Sequence, residues 1–87
     1  GIVSISCIIS KNFDDLKMQI YDKGFPFPFN TQLIEEEIKE IFLNKILFIK
    51  DELNEQTLNN LLLDISRKTF SRNFSLKPEF FIHVSLI

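Results

Sequence analysis

Eighty-seven residues, ten of them basic and twelve acidic for a formal charge of −2, make one domain at most. They exclude the strong basic footprint of a sequence-independent nucleic-acid binder. The chain is 45% hydrophobic with ten Phe, a large apolar load for a length that buries only about 60–65% of its unfolded surface. The excess is expected at an interface with other chains.

Gly1–Ser10 alternates, with Val3, Ile5, Cys7 and Ile9 on one face and Ile2, Ser4, Ser6, Ile8 and Ser10 on the other. Period two in β-branched residues predicts a strand with one buried face. The apolar run Ile2–Ile9 is far shorter than the ~20 residues a membrane helix needs, and no charged segment precedes it as in a signal peptide. No membrane association is expected. A start at Gly1 leaves a processed product and a fragment both open. Cys7 is the only cysteine, which excludes an intrachain disulfide framework and fits reducing surroundings.

Phe13, Leu16 and Ile20 are spaced three and four apart, so Lys11–Tyr21 suits a short helix capped by Asn12; an extended segment fits equally. Gly24, Pro26 and Pro28 then forbid regular helix. Phe25, Phe27 and Phe29 alternate with those prolines. They either glue this arm onto the helices behind it or form a docking arm for a partner.

From Thr31 to Leu47, Ile34, Ile38, Ile41, Phe42 and Ile46 make one apolar helical stripe. Asn30 or Thr31 can cap its start, Glu35, Glu36 and Glu37 are placed in its first turns, and Glu35–Lys39 is an i, i+4 pair. Lys50–Leu53 is a charged connection. A second helix begins near Asn54 with the stripe Leu58, Leu61, Leu62, Ile65 and Thr69, extended by Phe70 and Phe74. Arg67, Lys68 and Arg72 lie in its later turns. Pro78 ends the helical region. Phe80, Ile82, Val84 and Leu86 then alternate with Phe81, His83, Ser85 and Ile87, which predicts a strand whose even face is buried.

Catalytic signatures are absent from the sequence. Two glycines cannot build a phosphate-binding loop. Cys7 and His83 would form a nucleophile–base pair only if two strands met in one register; a core thiol and a half-exposed strand imidazole are the simpler readings. Asp14–Asp15 reads as a polar loop. No His, Cys or carboxylate cluster has metal-ligand spacing. No catalytic residue, cofactor or metal is expected.

The order of elements from Tyr21 to Ile87 resembles the N-terminal half of the Tctex-type dynein light chain family. The likeness rests on the lead Tyr21 … Pro28-Phe29-Asn30 and the helix pattern Ile34-x-x-x-Ile38-x-x-Ile41-Phe42. It continues in the Leu61-x-x-x-Ile65-Ser66 core of the second helix and in the strand Pro78–Ile87. The connection before that strand looks about two residues shorter than in the family. The family's domain continues with three further antiparallel strands, which build most of its dimer interface and its groove for the dynein intermediate chain. It has no counterpart to Gly1–Ser10. None of its binding residues therefore transfers to this chain.

The expectation is thus an α+β fold, two antiparallel helices on a small antiparallel sheet that needs a further strand. Gly1–Phe29 would supply a strand and an extended arm, and Asn30–Ile87 the helix–helix–strand unit. The N-terminal strand pairing with Phe80–Ile87 would complete the sheet. The partner-binding residues would be Phe81, His83, Ser85 and Ile87. The resemblance implies a non-enzymatic adaptor that pairs strands at its sheet edge. It would form a homodimer, or a heterodimer with another light chain, and bind dynein intermediate chain in the cytoplasm, at the cytoskeleton or in a cilium. A small structural subunit of a large assembly unrelated to dynein is the alternative.

Overall fold

The alternating N-terminal segment becomes the centre of the sheet in the computed structural model, which describes residues 1–25, 30–49, 53–75 and 77–87. Strand β1 is Ile2–Ile9, β2 Leu16–Lys23 and β3 Glu79–Leu86; helix α1 is Thr31–Ile49 and α2 Glu55–Phe74. The architecture is α+β, with an open three-stranded sheet in the order β2-β1-β3. Both helices lie over the face that carries Val3, Ile5, Cys7 and Ile9, all of them buried.

Lys11–Tyr21 is not a helix. Its second half is β2, antiparallel to β1 with Ile9 opposite Leu16 and Ser4 opposite Tyr21. Leu16, Met18 and Ile20 alternate as well as Phe13, Leu16 and Ile20 step by helical spacing, and β1 offers the alternating set a ladder and a core. Asn12 caps nothing; Ser10 organises the turn instead. Its hydroxyl donates to Asp14 Oδ1 at 2.6 Å and accepts from the Asp14 and Asp15 amides at 3.3 and 3.2 Å. Phe13 takes the left-handed conformation (φ 59°) that closes the turn, and Gly24 (φ 79°) takes it after β2.

Asn30 caps α1, its Oδ1 accepting from the Gln32 and Leu33 amides at 3.0 and 3.2 Å. Ile34, Ile38, Phe42 and Ile46 form the buried stripe, with Ile41 partly covered. Glu35–Glu37 fall beyond the first turn, which holds no acid. Glu37 instead reaches across to α2, where Arg72 and Asn73 donate to its Oε2 at 3.3 and 3.1 Å. Glu35 and Lys39 form no ion pair; the pairs among the described residues are Arg72–Glu37 and Lys68–Asp64. Asn54 caps α2 through the Thr57 amide at 2.8 Å. The start of α1 thus meets the end of α2, and the helices are antiparallel. The arm residues Pro26–Phe29, the link residues Lys50–Glu52 and Leu76 lie outside the described residues. Phe25 does act as glue: its ring centroid is 6.2 Å from that of Phe70, which also meets Phe74 at 5.5 Å and Phe80 edge-on at 5.3 Å.

The N-terminal strand pairs with β3 as expected, but the two run parallel, Val3 opposite Phe80 and Cys7 opposite Val84. The sheet is mixed rather than antiparallel. Parity explains this. Each connection reverses the chain, and four reversals separate β1 from β3. Without β2 there would be three, and the same strands would meet antiparallel. The long helical crossover that parallel neighbours need is supplied by α1 and α2.

Candidate protein-binding surface

Backbone direction decides what each sheet edge offers. In a parallel pair the N–H and C=O of a residue point to the same side of its strand. The Glu79 and Ile87 amides donate to the carbonyls of Gly1 and Ile9, so odd residues of β3 point toward β1. Even residues, Phe80, Ile82, Val84 and Leu86, therefore point out of the sheet. Two of those four amides are occupied by α2. Asn59 Oδ1 accepts from the Val84 amide at 3.2 Å, and Glu55 Oε2 accepts from the Leu86 amide at 2.8 Å. Covering an edge in this way removes the template for a further strand. Among the described residues, only the Phe80–Ile82 half of the β3 edge stays open.

The opposite edge is different. The Ser10 amide donates to the Asp15 carbonyl, which fixes odd residues of β2 as those bonded to β1. Leu16, Met18, Ile20 and Asp22 then present their N–H and C=O groups outward, and no side chain among the described residues bonds to them. This edge has no proline and no bulge across its eight residues. Its backbone is the longest unsatisfied ladder the described residues present.

Among the described residues, nothing covers the sheet face away from the helices. Register places four rows across it: Lys23–Ile2–Glu79, Tyr21–Ser4–Phe81, Gln19–Ser6–His83 and Lys17–Ile8–Ser85. Tyr21 is 62% exposed, Phe81 54%, Ile8 45% and Ile2 41%. Ser4, a small residue of the central strand, separates Tyr21 from Phe81 in their row. Single exposed apolar residues are ordinary; four on one flat face form a patch of the kind that marks an interaction surface.

Phe81, His83 and Ser85 share this open face, and Ile87 lies exposed just past the end of β3. Ser85 Oγ and His83 Nε2 are 3.1 Å apart. The structure thus gathers the sequence-predicted residues, but their backbone groups are bonded to β1. Their side chains can meet a partner; their amides cannot pair with one. What sequence reading missed is β2, whose Tyr21 completes the face and whose outer edge is free. The signal was present in the alternation of Leu16, Met18 and Ile20.

Cys7 and His83 sit on adjacent strands but opposite faces, so they cannot act on one another. Burial pushes the Cys7 thiol from its ordinary 9.0 up to about 12, against a smaller opposing pull from Lys39. A thiol so protonated is a core group and a poor nucleophile. No group of three or more His, Cys, Asp or Glu among the described residues could hold a metal ion. No helix among them is long and apolar enough to cross a membrane. A groove of about 310 Å³ lies beside the open half of β3, lined by Arg67, Lys68, Ser71, Lys77, Pro78 and Phe80. Lys68 is held by Asp64 at 3.1 Å, leaving Arg67 and Lys77 as its free cations among the described residues.

No protein-family model, no curated protein and no solved structure matches this chain.

Proposed function

We propose that this chain is a non-enzymatic adaptor that binds partner chains by strand addition at the β2 edge of its sheet. The observation that carries this reading is the asymmetry of the two edges. One is plugged over half its length by Asn59 and Glu55, while the other offers four outward residues with no partner among the described residues. Backbone donors and acceptors in a row give affinity to any extended segment, and the neighbouring side chains choose among segments. Here those side chains are Lys17, Gln19, Tyr21 and Lys23, with Phe81 and His83 further across the face.

The resemblance to Tctex-type light chains names a candidate partner, the dynein intermediate chain, and with it the cytoplasm, cytoskeleton or cilium. Binding is to be measured by titrating recombinant intermediate chain onto the full chain. Ile20→Pro is the informative variant, because Ile20 points its amide outward and proline is tolerated on an edge strand where no ladder bond is lost. Ile20→Ala controls for packing. Loss of binding in Ile20→Pro alone supports strand addition. Equal binding by all three proteins refutes it, and no binding by any refutes the dynein link.

A second reading is a structural subunit buried among neighbours in a large assembly unrelated to dynein. It is favoured by apolar side chains on a second, separate surface, where Leu47 is 67% and Phe48 90% exposed at the end of α1. Native mass spectrometry of the endogenous complex separates the two, since only the first reading places dynein subunits in it.

A further inference from the structure

We infer that the strand added to β2 is β2 of a second copy of this chain, paired antiparallel about a two-fold axis at Gln19. This rests on the strand-addition reading and names its first partner. A two-fold antiparallel pair must match residues whose numbers sum to a constant. The outward residues of β2 are all even, so the constant is even. The side chains then choose among the few registers that keep most of the strand paired.

A sum of 40 sets Lys17 against Lys23 at both ends of the strand. A sum of 36 sets Asp14 against Asp22. A sum of 42 shortens the ladder and leaves Lys17 beyond the end of the partner strand. The sum of 38 sets no like charges against one another and keeps the strand paired along its length, with Asp22 opposite Leu16 at each end. It matches Asp15 with Lys23 twice, Lys17 with the Tyr21 ring twice, and Gln19 with its own copy on the axis. On the helix side it matches Met18 with Ile20, which is only partly buried in the single chain and would gain cover. Opposite charges and cation–aromatic pairs placed directly across from one another are the favourable cross-strand combinations, and like charges the unfavourable ones.

In this register four residue pairs (16 with 22, 18 with 20, and their symmetry mates) exchange about eight backbone hydrogen bonds. The two sheets join into one of six strands, in the order β3-β1-β2-β2-β1-β3. The uncovered faces become continuous, with the two Tyr21–Ser4–Phe81 rows on either side of the axis. Both plugged β3 edges end up outermost. The side chains of Asn59 and Glu55 block half of each outer edge, which shortens the ladder left for growth beyond two copies.

The register makes a charge-swap test decisive. In sedimentation equilibrium the wild-type chain is expected at twice its 10.3 kDa monomer mass. Lys23→Asp turns two attractive pairs into two repulsive ones and should raise the dissociation constant about tenfold. The double variant Asp15→Lys with Lys23→Asp restores opposite charges in the same places and should return it close to the wild-type value. Gln19→Cys should oxidise to a covalent dimer, because a non-hydrogen-bonded antiparallel pair brings Cβ atoms to disulfide range and Cys7 is buried. A wild-type chain that stays monomeric overturns the inference. So does a dimer that is indifferent to Lys23→Asp and that Gln19→Cys fails to cross-link. If the chain is monomeric yet Ile20→Pro still abolishes intermediate-chain binding, self-pairing falls and strand addition stands. If neither holds, both fall.

Discussion

Removing the Asn59 side chain tests the direction of every backbone group on β3. The Val84 residue is 4% exposed, and its amide points away from β1 with Asn59 Oδ1 as its partner at 3.2 Å. Asn59→Ala deletes the acceptor and leaves the donor in a place water reaches poorly. A buried donor stripped of its partner costs about 1–3 kcal/mol. The bond is at the long end of the normal range, so about 1–2 kcal/mol is the working figure. That is a sizeable part of the roughly 4–13 kcal/mol expected for a domain of this length. Urea unfolding followed by circular dichroism should show the midpoint falling with an unchanged slope. Amide hydrogen exchange gives the sharper reading. Val84 should exchange slowly in the wild type and at least about five- to thirtyfold faster in Asn59→Ala, while the odd-numbered amides of β3 lose no more protection than the fall in global stability accounts for. A wild-type Val84 amide that exchanges as fast as that of Ile82, with no stability change in the variant, would refute the account of the plugged edge.

Phe70→Ala should be far more costly, at about 3–5 kcal/mol, because a fully buried ring touching Phe25, Phe74 and Phe80 leaves a cavity between α2 and β3; a loss under about 1 kcal/mol in urea melts would show that this cluster is not core. Ser75 closes α2 in the left-handed conformation (φ 53°), so Ser75→Gly should stabilise by about 0.5–1 kcal/mol in the same assay. For Cys7 the thiol pKa is raised in the folded chain, to about 12 from 9.0. Below pH 9 both states hold the proton and the group leaves stability unchanged. Between pH 9 and about 12 the unfolded chain has lost the proton and the folded chain has not, so this group lowers stability as pH rises. Cys7→Ala should remove that part of the alkaline decline, and a wild-type thiol that reacts freely with a thiol reagent at pH 8 without denaturant would contradict its burial.

The helices and β1 and β3 were legible in the sequence because each is strongly periodic and punctuated. Asn30 caps α1 where a side-chain oxygen was expected, α2 starts next to Asn54 as its pattern implied, and Pro78 stands just before β3. Strand β2 was not, because Phe13, Leu16 and Ile20 satisfy a helical spacing while Leu16, Met18 and Ile20 satisfy an extended one. Eleven residues of pattern could not choose; pairing with β1 chose. That single ambiguity propagated, since the parity of reversals set β3 parallel to β1. The candidate surface divided in the same way. Exposure of Phe81, His83 and Ile87 followed from the alternation of β3, whereas the plug at its edge depends on Asn59 and Glu55 reaching from a helix 25 and 31 residues away. Long-range side-chain-to-backbone bonds of that kind leave no local periodic trace.

Residue-resolved amide exchange along β2, in dilute solution and at increasing concentration or with intermediate chain added, tests the open edge most directly. The account predicts protection of Lys17, Gln19, Tyr21 and Lys23 throughout, since these bond to β1. It predicts fast exchange at Leu16, Met18, Ile20 and Asp22 in dilute solution, and their protection once a strand is added. Even-numbered β2 amides that stay unprotected while those of Phe80 and Ile82 become slow would place docking on β3 and contradict it.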